Sequence, residues 1–376
     1  MDILKEILNA LETEDRVLLA TIISTTGSTP AASHSKMLIR QDGAVSVGTV
    51  GGGCMEGDVL LHAQRLYDSG KAEILTFHLN EDDLEHGLIC GGSLDVLIEP
   101  LTRKDAPLVR HMKEIRDAGE DCVLATYITQ EGYPKFKRVI PGNSSLQESI
   151  GILELPDTAS NLPTGQLIAE ALERVRKKRE TMRVPLAGAY VILEPLAGRP
   201  SLIIFGGGHV SKYISRVAAL AGFGVTVVDD RNKFANPIRF PEAEQILAMD
   251  FVEAFNHLSI KSSSYIVIVT RGHRHDEEIL QRALETTALY IGMIGSKRKV
   301  LTTFEHLVER GTSLEALHRV HAPIGLGIGA LTPEEIAISI VGELINERRT
   351  GDAHPLSKSH GTELMITTIE NKFQHH

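Results

Sequence analysis

The chain is predicted to be an α/β protein in which an N-terminal mixed α+β domain precedes a parallel-sheet domain. Two observations carry this prediction. From residue 201 onward, short apolar runs alternate with helical patterns, which is typical of a parallel sheet covered by helices on both faces. Before residue 198 the pattern is richer in short strands, with few helices between them. The chain should therefore contain two different kinds of sheet.

Length and composition limit the class of protein. With 376 residues, of which 42% are hydrophobic, the chain can bury two sizeable cores. Its formal net charge of −10 argues against nonspecific binding of nucleic acid or of anionic membranes. The N-terminus is typical of an acidic amphipathic helix and not of a signal sequence, and no apolar run approaches the roughly 20 residues of a membrane span. We therefore expect a cytoplasmic protein.

The three cysteines, Cys54, Cys90 and Cys122, are too few and too scattered for a disulfide framework or a paired zinc motif. Cys122 lies in an alternating apolar run and is expected in the core. The His-x-His pattern at residues 273–275 lacks a third well-spaced ligand, so no metal site is predicted. Asp276, which follows it, is interpreted as a helix N-cap.

The first domain is assigned to residues 1–198, with the boundary in a segment rich in Pro and Gly. After an opening helix, strands are predicted over residues 17–23, 36–40, 44–50, 74–79, 94–99, 122–128, 135–140 and 191–193, and helices over residues 55–67 and 107–117. Between residues 143 and 163 the pattern weakens, and a basic helix follows over residues 166–180. The stretch near residues 143–185 is therefore interpreted as a helical linker segment.

The second domain is assigned to residues 199–351. Strands are predicted over residues 201–205, 225–229, 265–270 and 289–294, and helices over residues 210–221, 250–258, 276–286 and 297–310. A final helix should begin after Thr332, because Pro333 occupies its first position and Glu335 completes a capping box. Residues 352–376 are interpreted as a loose polar tail.

A nucleotide site is predicted in the second domain. Gly206, Gly207 and Gly208 follow a strand and open a helix, and Asp229 ends the next strand. In a Rossmann-like unit such glycines let the backbone approach a pyrophosphate, and the acid about 20 residues further on holds a ribose. Because Arg231 lies close behind the acid, the sequence leaves both NAD and NADP open. A tight strand-to-helix turn without a ligand is the alternative.

A second anion site is predicted at Ser296, Lys297 and Arg298, where the chain leaves a strand and begins a helix. Together with Lys299, these residues place three cations in the first helical turn. Cations there oppose the helix macrodipole, and a bound phosphate would remove that conflict. The alternative is that the side chains extend into water at the surface of an anionic protein.

In the first domain, Gly51, Gly52 and Gly53 join a strand to a helix and precede Cys54. Three residues without Cβ expose backbone N–H groups at a helix start, where anions are stabilised. The same position lowers the pKa of a thiol and so favours a thiolate, which attacks sulfur donors or binds soft metals. Cys90 also lies beside glycines. A small buried residue in a tight turn is the alternative interpretation of Cys54.

These motifs resemble the XdhC/CoxI family of accessory factors for xanthine dehydrogenase and related molybdenum hydroxylases. The resemblance rests on GTVGGGCMEGDV and LICGG in the first domain, and on IIFGGGHVS, VVDDR and GMIGSKRK in the second. It implies a chaperone that binds molybdenum cofactor (molybdopterin), supports its sulfuration with a cysteine desulfurase and inserts it into the hydroxylase. It also implies that Cys54 contacts the cofactor or the sulfur, with Cys90 as a companion residue.

The family-like architecture further suggests a homodimer. Ser211 stands where a third glycine is expected, which departs from the dinucleotide-binding pattern. The residues alone also allow a different class of function. The second domain could serve an NAD(P)-dependent oxidoreductase, with His273 or His275 as acid or base, or a nucleotide-sensing protein.

Overall fold

The computed structural model describes residues 2–27, 29, 35–78, 92–153, 162–350 and 362–374. The chain divides into two compact units, Met1–Gly198 and Arg199–His376. The first unit contains two antiparallel sheets, whereas the second contains one parallel sheet. This confirms the predicted fold class. None of the described helices is long and apolar enough to cross a membrane.

Five strands form the first sheet of the first unit, in the order β3-β2-β1-β5-β4. Their bounds are Arg16–Thr26 (β1), Lys36–Ile39 (β2), Val45–Gly48 (β3), Glu73–His78 (β4) and Ser93–Thr102 (β5). Leu18, Ala20 and Ile22 of β1 share a core with helix α2 (Gly53–Leu66). The residues of β1 that alternate with these three face the other side of the sheet, because successive strand residues point to opposite faces.

Helices α1 (Ile3–Thr13) and α3 (Ala106–Asp117) cover part of that other side. Their apolar residues share a core with Val17 and Leu19 of β1. Both helices lie close to their predicted positions, because each has apolar residues at helical spacing.

The second sheet of this unit has the order β7-β6-β9-β8. Its strands are Cys122–Thr129 (β6), Pro134–Pro141 (β7), Met182–Leu186 (β8) and Ala189–Leu196 (β9). Helices α4 (Leu146–Leu153) and α5 (Leu162–Lys178) pack on it, with Ile168, Leu172 and Val175 fully buried. The helical segment predicted as a linker is therefore a layer of the fold. Its apolar residues recur at helical spacing and bury against the sheet.

Two buried ion pairs join the two sheets. The ammonium of Lys36 lies 2.7 Å from Glu194, and that of Lys137 lies 2.8 Å from Glu99. Lys36 also donates a hydrogen bond to Thr21, at 3.1 Å. Each pair links a strand of one sheet to a strand of the other. Loss of one partner would leave a buried charge uncompensated, so these pairs restrict how the sheets can pack.

The second unit is built on a six-stranded sheet in the order β12-β11-β10-β13-β14-β15, with every neighbouring pair parallel. The strands are Ser201–Phe205 (β10), Gly224–Asp229 (β11), Gln245–Ala248 (β12), Ser264–Ile268 (β13), Tyr290–Met293 (β14) and Val320–His321 (β15). Strand order reverses at β10. Parallel α/β sheets bind ligands at such a switch point, beyond the carboxyl ends of the strands.

Helices cover both faces of this sheet. They are His209–Leu220 (α6), Phe251–Ala254 (α7), His273–Leu284 (α8), Lys297–Glu309 (α9), Leu314–Leu317 (α10) and Pro333–Thr350 (α11). The capping box predicted before α11 is confirmed. Glu335 accepts a hydrogen bond from the Thr332 N–H at 3.1 Å, and Thr332 Oγ1 accepts one from the Glu335 N–H at 3.3 Å.

The C-terminal segment differs from the loose polar tail predicted over residues 352–376. A helix, α12, spans Thr362–Gln374, and its residues Met365, Ile366 and Ile369 are buried in the core of the second unit. Thr362 donates a hydrogen bond to the carbonyl oxygen of Ala322, at 2.8 Å. The prediction was wrong here because a short apolar face at helical spacing is embedded in an otherwise polar composition.

Candidate functional site

A cleft lies at the carboxyl edge of the parallel sheet, at the point where strand order reverses. It has a volume of about 250 Å³, and its walls come from the segments that follow β10, β11, β12, β13 and β14. The lining residues are Gly206, Gly208, His209, Val210, Ser211, Asp229, Asp230, Arg231, Phe251, Val269, Thr270, Arg271 and Ile294. Two of the predicted glycines and the predicted acid therefore meet in one cleft.

The three glycines of residues 206–208, here called the glycine loop, have different surroundings. Gly206 has a φ of 108°, and a Cβ there would lie 2.5 Å from the carbonyl oxygen of Val269. A Cβ at Gly207 would lie 2.6 Å from the carbonyl oxygen of Phe234. At Gly208 a Cβ would meet nothing within 4 Å. The first two glycines thus allow the loop to pack on the protein, whereas Gly208 faces open space.

Asp229 is 1% exposed, and its carboxylate accepts four hydrogen bonds from within the chain. The Gly207 N–H donates one at 2.7 Å, and Arg231 donates three, from its backbone N–H at 3.1 Å, its Nε at 2.8 Å and its Nη2 at 3.0 Å. Burial opposes ionisation, but these donors outweigh it and hold the pKa of Asp229 below its usual value. The ionised carboxylate ties the glycine loop to Arg231.

Arg239 also supports the glycine loop, through its carbonyl oxygens. Its Nε donates to the carbonyl oxygen of Gly207, and its Nη2 donates to that of Gly208, both at 2.9 Å. Its guanidinium lies 5.4 Å from the centre of the Phe234 ring. No local sequence pattern points to Arg239, because its contacts with the loop span 31 and 32 residues of the chain. Its proximity adds positive charge to the loop that was predicted to hold a phosphate.

Ser211 lies in the first turn of α6 and lines the cleft. Its side chain is fully buried, and its Oγ has no hydrogen-bond partner among the described residues. A buried hydroxyl without a partner costs about 1–3 kcal/mol. The N-cap residue Gly208 offers no side chain to the first N–H groups of α6. The wall of the cleft therefore presents several hydrogen-bond donors to a ligand.

The predicted second anion site lies at the start of α9. Ser296 is the N-cap, and its Oγ accepts a hydrogen bond from the Lys299 N–H at 3.3 Å. Lys297 and Arg298 are exposed, and neither lines the cleft. The ammonium of Lys299 contacts the carboxylate of Asp276 in α8. A carboxylate of the protein itself thus neutralises one of the three cations.

Asp276 is not the N-cap that the sequence suggested, because α8 begins at His273 and Gly272 is its N-cap. The carboxylate is fully buried and accepts a hydrogen bond from Thr270 Oγ1 at 2.6 Å. Its partners come from the neighbouring loop and from α9, so its role is to join these elements.

The glycine run of the first unit forms a turn at the start of α2. Gly51, Gly52 and Gly53 have φ values of 128°, 76° and 64°, which favour glycine at all three positions. The carboxylate of Glu56 accepts hydrogen bonds from the Val50 N–H at 3.2 Å and from the Gly52 N–H at 3.1 Å. The turn is therefore held in place from within its own helix.

Cys54 is the second residue of α2, so its N–H is one of the donors that a helix leaves unpaired at its start. A Cβ at Gly52 or Gly53 would meet nothing within 4 Å. Gly53 and Cys54 fit an anionic group, because their unpaired N–H groups and the helix dipole both favour negative charge. Cys90 lies outside the described residues. Cys122 is buried as predicted, and burial raises the pKa of its thiol to about 12.

Comparison with known proteins identifies relatives of both units. Residues 202–344 match the XdhC Rossmann domain, and residues 10–78 match the XdhC and CoxI family. A Bacillus subtilis protein, named as a probable subunit of xanthine dehydrogenase, is 26% identical over 90% of this chain and 95% of its own length. The molybdenum cofactor insertion chaperone PaoD of Escherichia coli is 20% identical over 92% of this chain and 88% of its own.

Two further matches extend this comparison. The uncharacterized protein YqeB of Escherichia coli is 36% identical over 45% of this chain, and the matched region spans 31% of YqeB. A crystal structure described as a xanthine dehydrogenase from Bacillus halodurans superposes with a TM-score of 0.72 at 27% identity, covering 94% of this chain and 98% of that one. Because each of the two units contains a match to this family, the protein belongs to the XdhC and CoxI family.

Proposed function

We propose that this protein is an accessory factor that binds molybdenum cofactor and delivers it to xanthine dehydrogenase or a related molybdenum hydroxylase. The observation that carries the proposal is the turn at Gly51–Gly53, which places Cys54 and the unpaired N–H groups of Gly53 and Cys54 at the start of α2. The Bacillus subtilis relative is named after xanthine dehydrogenase and PaoD after molybdenum cofactor insertion, and both names support this proposal.

The residues of this turn suit the two ends of such a cofactor. The N–H groups of Gly53 and Cys54 would hold its phosphate, since a helix start favours an anion. The Cys54 thiolate would contact the soft metal-sulfur end, since soft ligands prefer soft metals. When bound, the cofactor supplies the redox-active molybdenum that the client enzyme requires. Cys54, with Cys90 as a companion, would also support its sulfuration by a cysteine desulfurase, and the chain would act as a homodimer.

The experiment is retention of molybdenum cofactor by the purified full chain. The protein, its Cys54→Ala variant and its Cys122→Ala variant are mixed with the cofactor and passed through a desalting column, and the retained molybdenum is measured. We expect Cys54→Ala to lose most of the retained metal and Cys122→Ala to keep it. The second variant is the matched control, because it also removes one thiol. Equal retention by the wild type and Cys54→Ala would exclude the proposed role of Cys54.

A second candidate function is favoured by the cleft of the second unit. The open face of Gly208 and the unpartnered hydroxyl of Ser211 suit a nucleotide, so this unit could sense NAD(P) or serve an NAD(P)-dependent oxidoreductase. His275 packs against Phe251, with ring centres 5.2 Å apart, and does not line the cleft. This arrangement favours nucleotide sensing over hydride transfer with His275 as acid or base.

A further inference from the structure

Asp229, the acid at the end of β11, has no acceptor site left for a hydrogen bond from a sugar hydroxyl. In NAD-binding sheets, a carboxylate at this position accepts hydrogen bonds from the ribose hydroxyls. A carboxylate offers about four lone-pair sites, and Asp229 already receives four hydrogen bonds, from Gly207 and Arg231. Because these sites are taken, a ribose could bind the carboxylate only by displacing the Gly207 N–H or Arg231. Asp229 therefore holds the glycine loop and Arg231 in place, and it does not bind the two hydroxyl groups of a ribose.

The charged side chains around Asp229 are mainly cationic. Arg231, Lys233 and Arg239 gather on the ring of Phe234, with the Arg231 guanidinium 3.7 Å from the ring centre. Such cation–π contacts fix the side chains while leaving N–H donors available. This concentration of cations occurs in a protein whose formal net charge is −10.

Arg271, from the segment after β13, reaches the same place. Its Nη2 lies 3.4 Å from the carboxylate of Asp230, and its side chain is 58% exposed. Asp230 also lies 3.3 Å from the Nε of Arg231. These long and partly exposed contacts are weak compared with the pair between Arg231 and Asp229. Arg271 can therefore turn toward an incoming anion at little cost.

We propose that this cleft binds a nucleotide with a phosphate group on its ribose, of the NADP(H) class, in preference to NAD(H). The first N–H groups of α6 and the Ser211 hydroxyl hold the diphosphate. Arg231 and Arg271 hold the ribose phosphate, which suits the paired N–H donors of a guanidinium. The inference rests on the second candidate function and is independent of cofactor binding in the first unit.

The test is calorimetric titration of the full chain with NADP⁺ and with NAD⁺. We expect NADP⁺ to bind at least about tenfold more tightly, which is the effect of one hydrogen bond to a charged group. Higher ionic strength should reduce this preference, because the exposed charges at the mouth of the cleft are screened by salt. Ser211→Ala should weaken the binding of both dinucleotides and leave their ratio unchanged.

Arg271→Ala should reduce the preference for NADP⁺ and leave the affinity for NAD⁺ nearly unchanged. Arg282→Ala is the matched control, because it removes the same charge from an exposed site in the last turn of α8, where Arg282 pairs with Glu285. Equal or tighter binding of NAD⁺ by the wild type would overturn this inference alone. Binding of neither dinucleotide would overturn the second candidate function as well. If Arg271→Ala leaves the ratio of the affinities for NADP⁺ and NAD⁺ unchanged, Arg271 does not contribute to the preference.

Discussion

The ammonium group of Lys299 contacts the carboxylate of Asp276 in an ion pair that joins α9 to α8. Asp276 is fully buried, and the side chain of Lys299 is 17% exposed. Lys299 also lies 3.4 Å from the carbonyl oxygen of Ile294, which lines the cleft. The pair therefore connects two helices at the edge of the sheet where the candidate nucleotide site lies.

Lys299→Met should destabilise the protein strongly, because it leaves the buried Asp276 carboxylate without its cation. We expect the free energy of unfolding to fall by about 3–5 kcal/mol, the usual cost of breaking a buried pair from one side. Urea unfolding followed by circular dichroism measures it. Lys297→Met is the control, since this exposed neighbour should change stability by no more than about 0.5 kcal/mol. Similar small losses in both variants would show that the Asp276 carboxylate does not depend on Lys299.

The same substitution at two adjacent glycines should have different effects. Gly207→Ala places a Cβ 2.6 Å from the Phe234 carbonyl oxygen, so we expect a loss of about 1–3 kcal/mol in the free energy of unfolding. Gly208→Ala has open space and a φ of −68°, so stability should be nearly unchanged. Its new methyl group should instead weaken dinucleotide binding in the titration. Equal thermal stability of the two variants would contradict the packing of the loop on Phe234.

Asp2 should stabilise the protein only above strongly acidic pH. Burial opposes its ionisation, but hydrogen bonds and charge from Arg116 lower its pKa from 3.8 to about 2. A lowered pKa in the folded state means that this stabilisation is complete above about pH 4 and is lost as the pH falls toward 2. Asp2→Asn should therefore cost about 1 kcal/mol at neutral pH, after allowance for solvent screening, and nothing near pH 2.

The measurement for Asp2→Asn is urea unfolding at a series of pH values between 2 and 7. The amide retains an oxygen that can accept from Leu4 and Lys5, so the N-cap of α1 should persist while the ion pair with Arg116 and its second hydrogen bond are lost. Glu12→Gln, at an exposed position of the same helix, is the control. A cost that stays constant over the whole pH range would mean that the Asp2–Arg116 pair does not supply the stability.

Several elements of the candidate sites could be predicted from local patterns. The strand before the glycine loop, the helix after it and the capping box of α11 depend on hydrophobic periodicity and on the backbone properties of Gly and Pro. The strands β8 and β12 were not predicted, because each is short and alternates weakly. The helix α4 was missed because it lies in a segment with many turn-forming residues.

Local sequence specifies which segments form strands, helices and glycine turns, since those preferences depend on neighbouring residues along one chain. Which charges meet depends instead on tertiary packing. Asp229 binds the N–H of Gly207, 22 residues earlier, and Lys299 binds Asp276, 23 residues earlier. Partners at such separations are brought together by the packing of helices on the sheet, so no local pattern encodes them. For that reason the acid predicted to hold a ribose proved to be occupied by the protein itself.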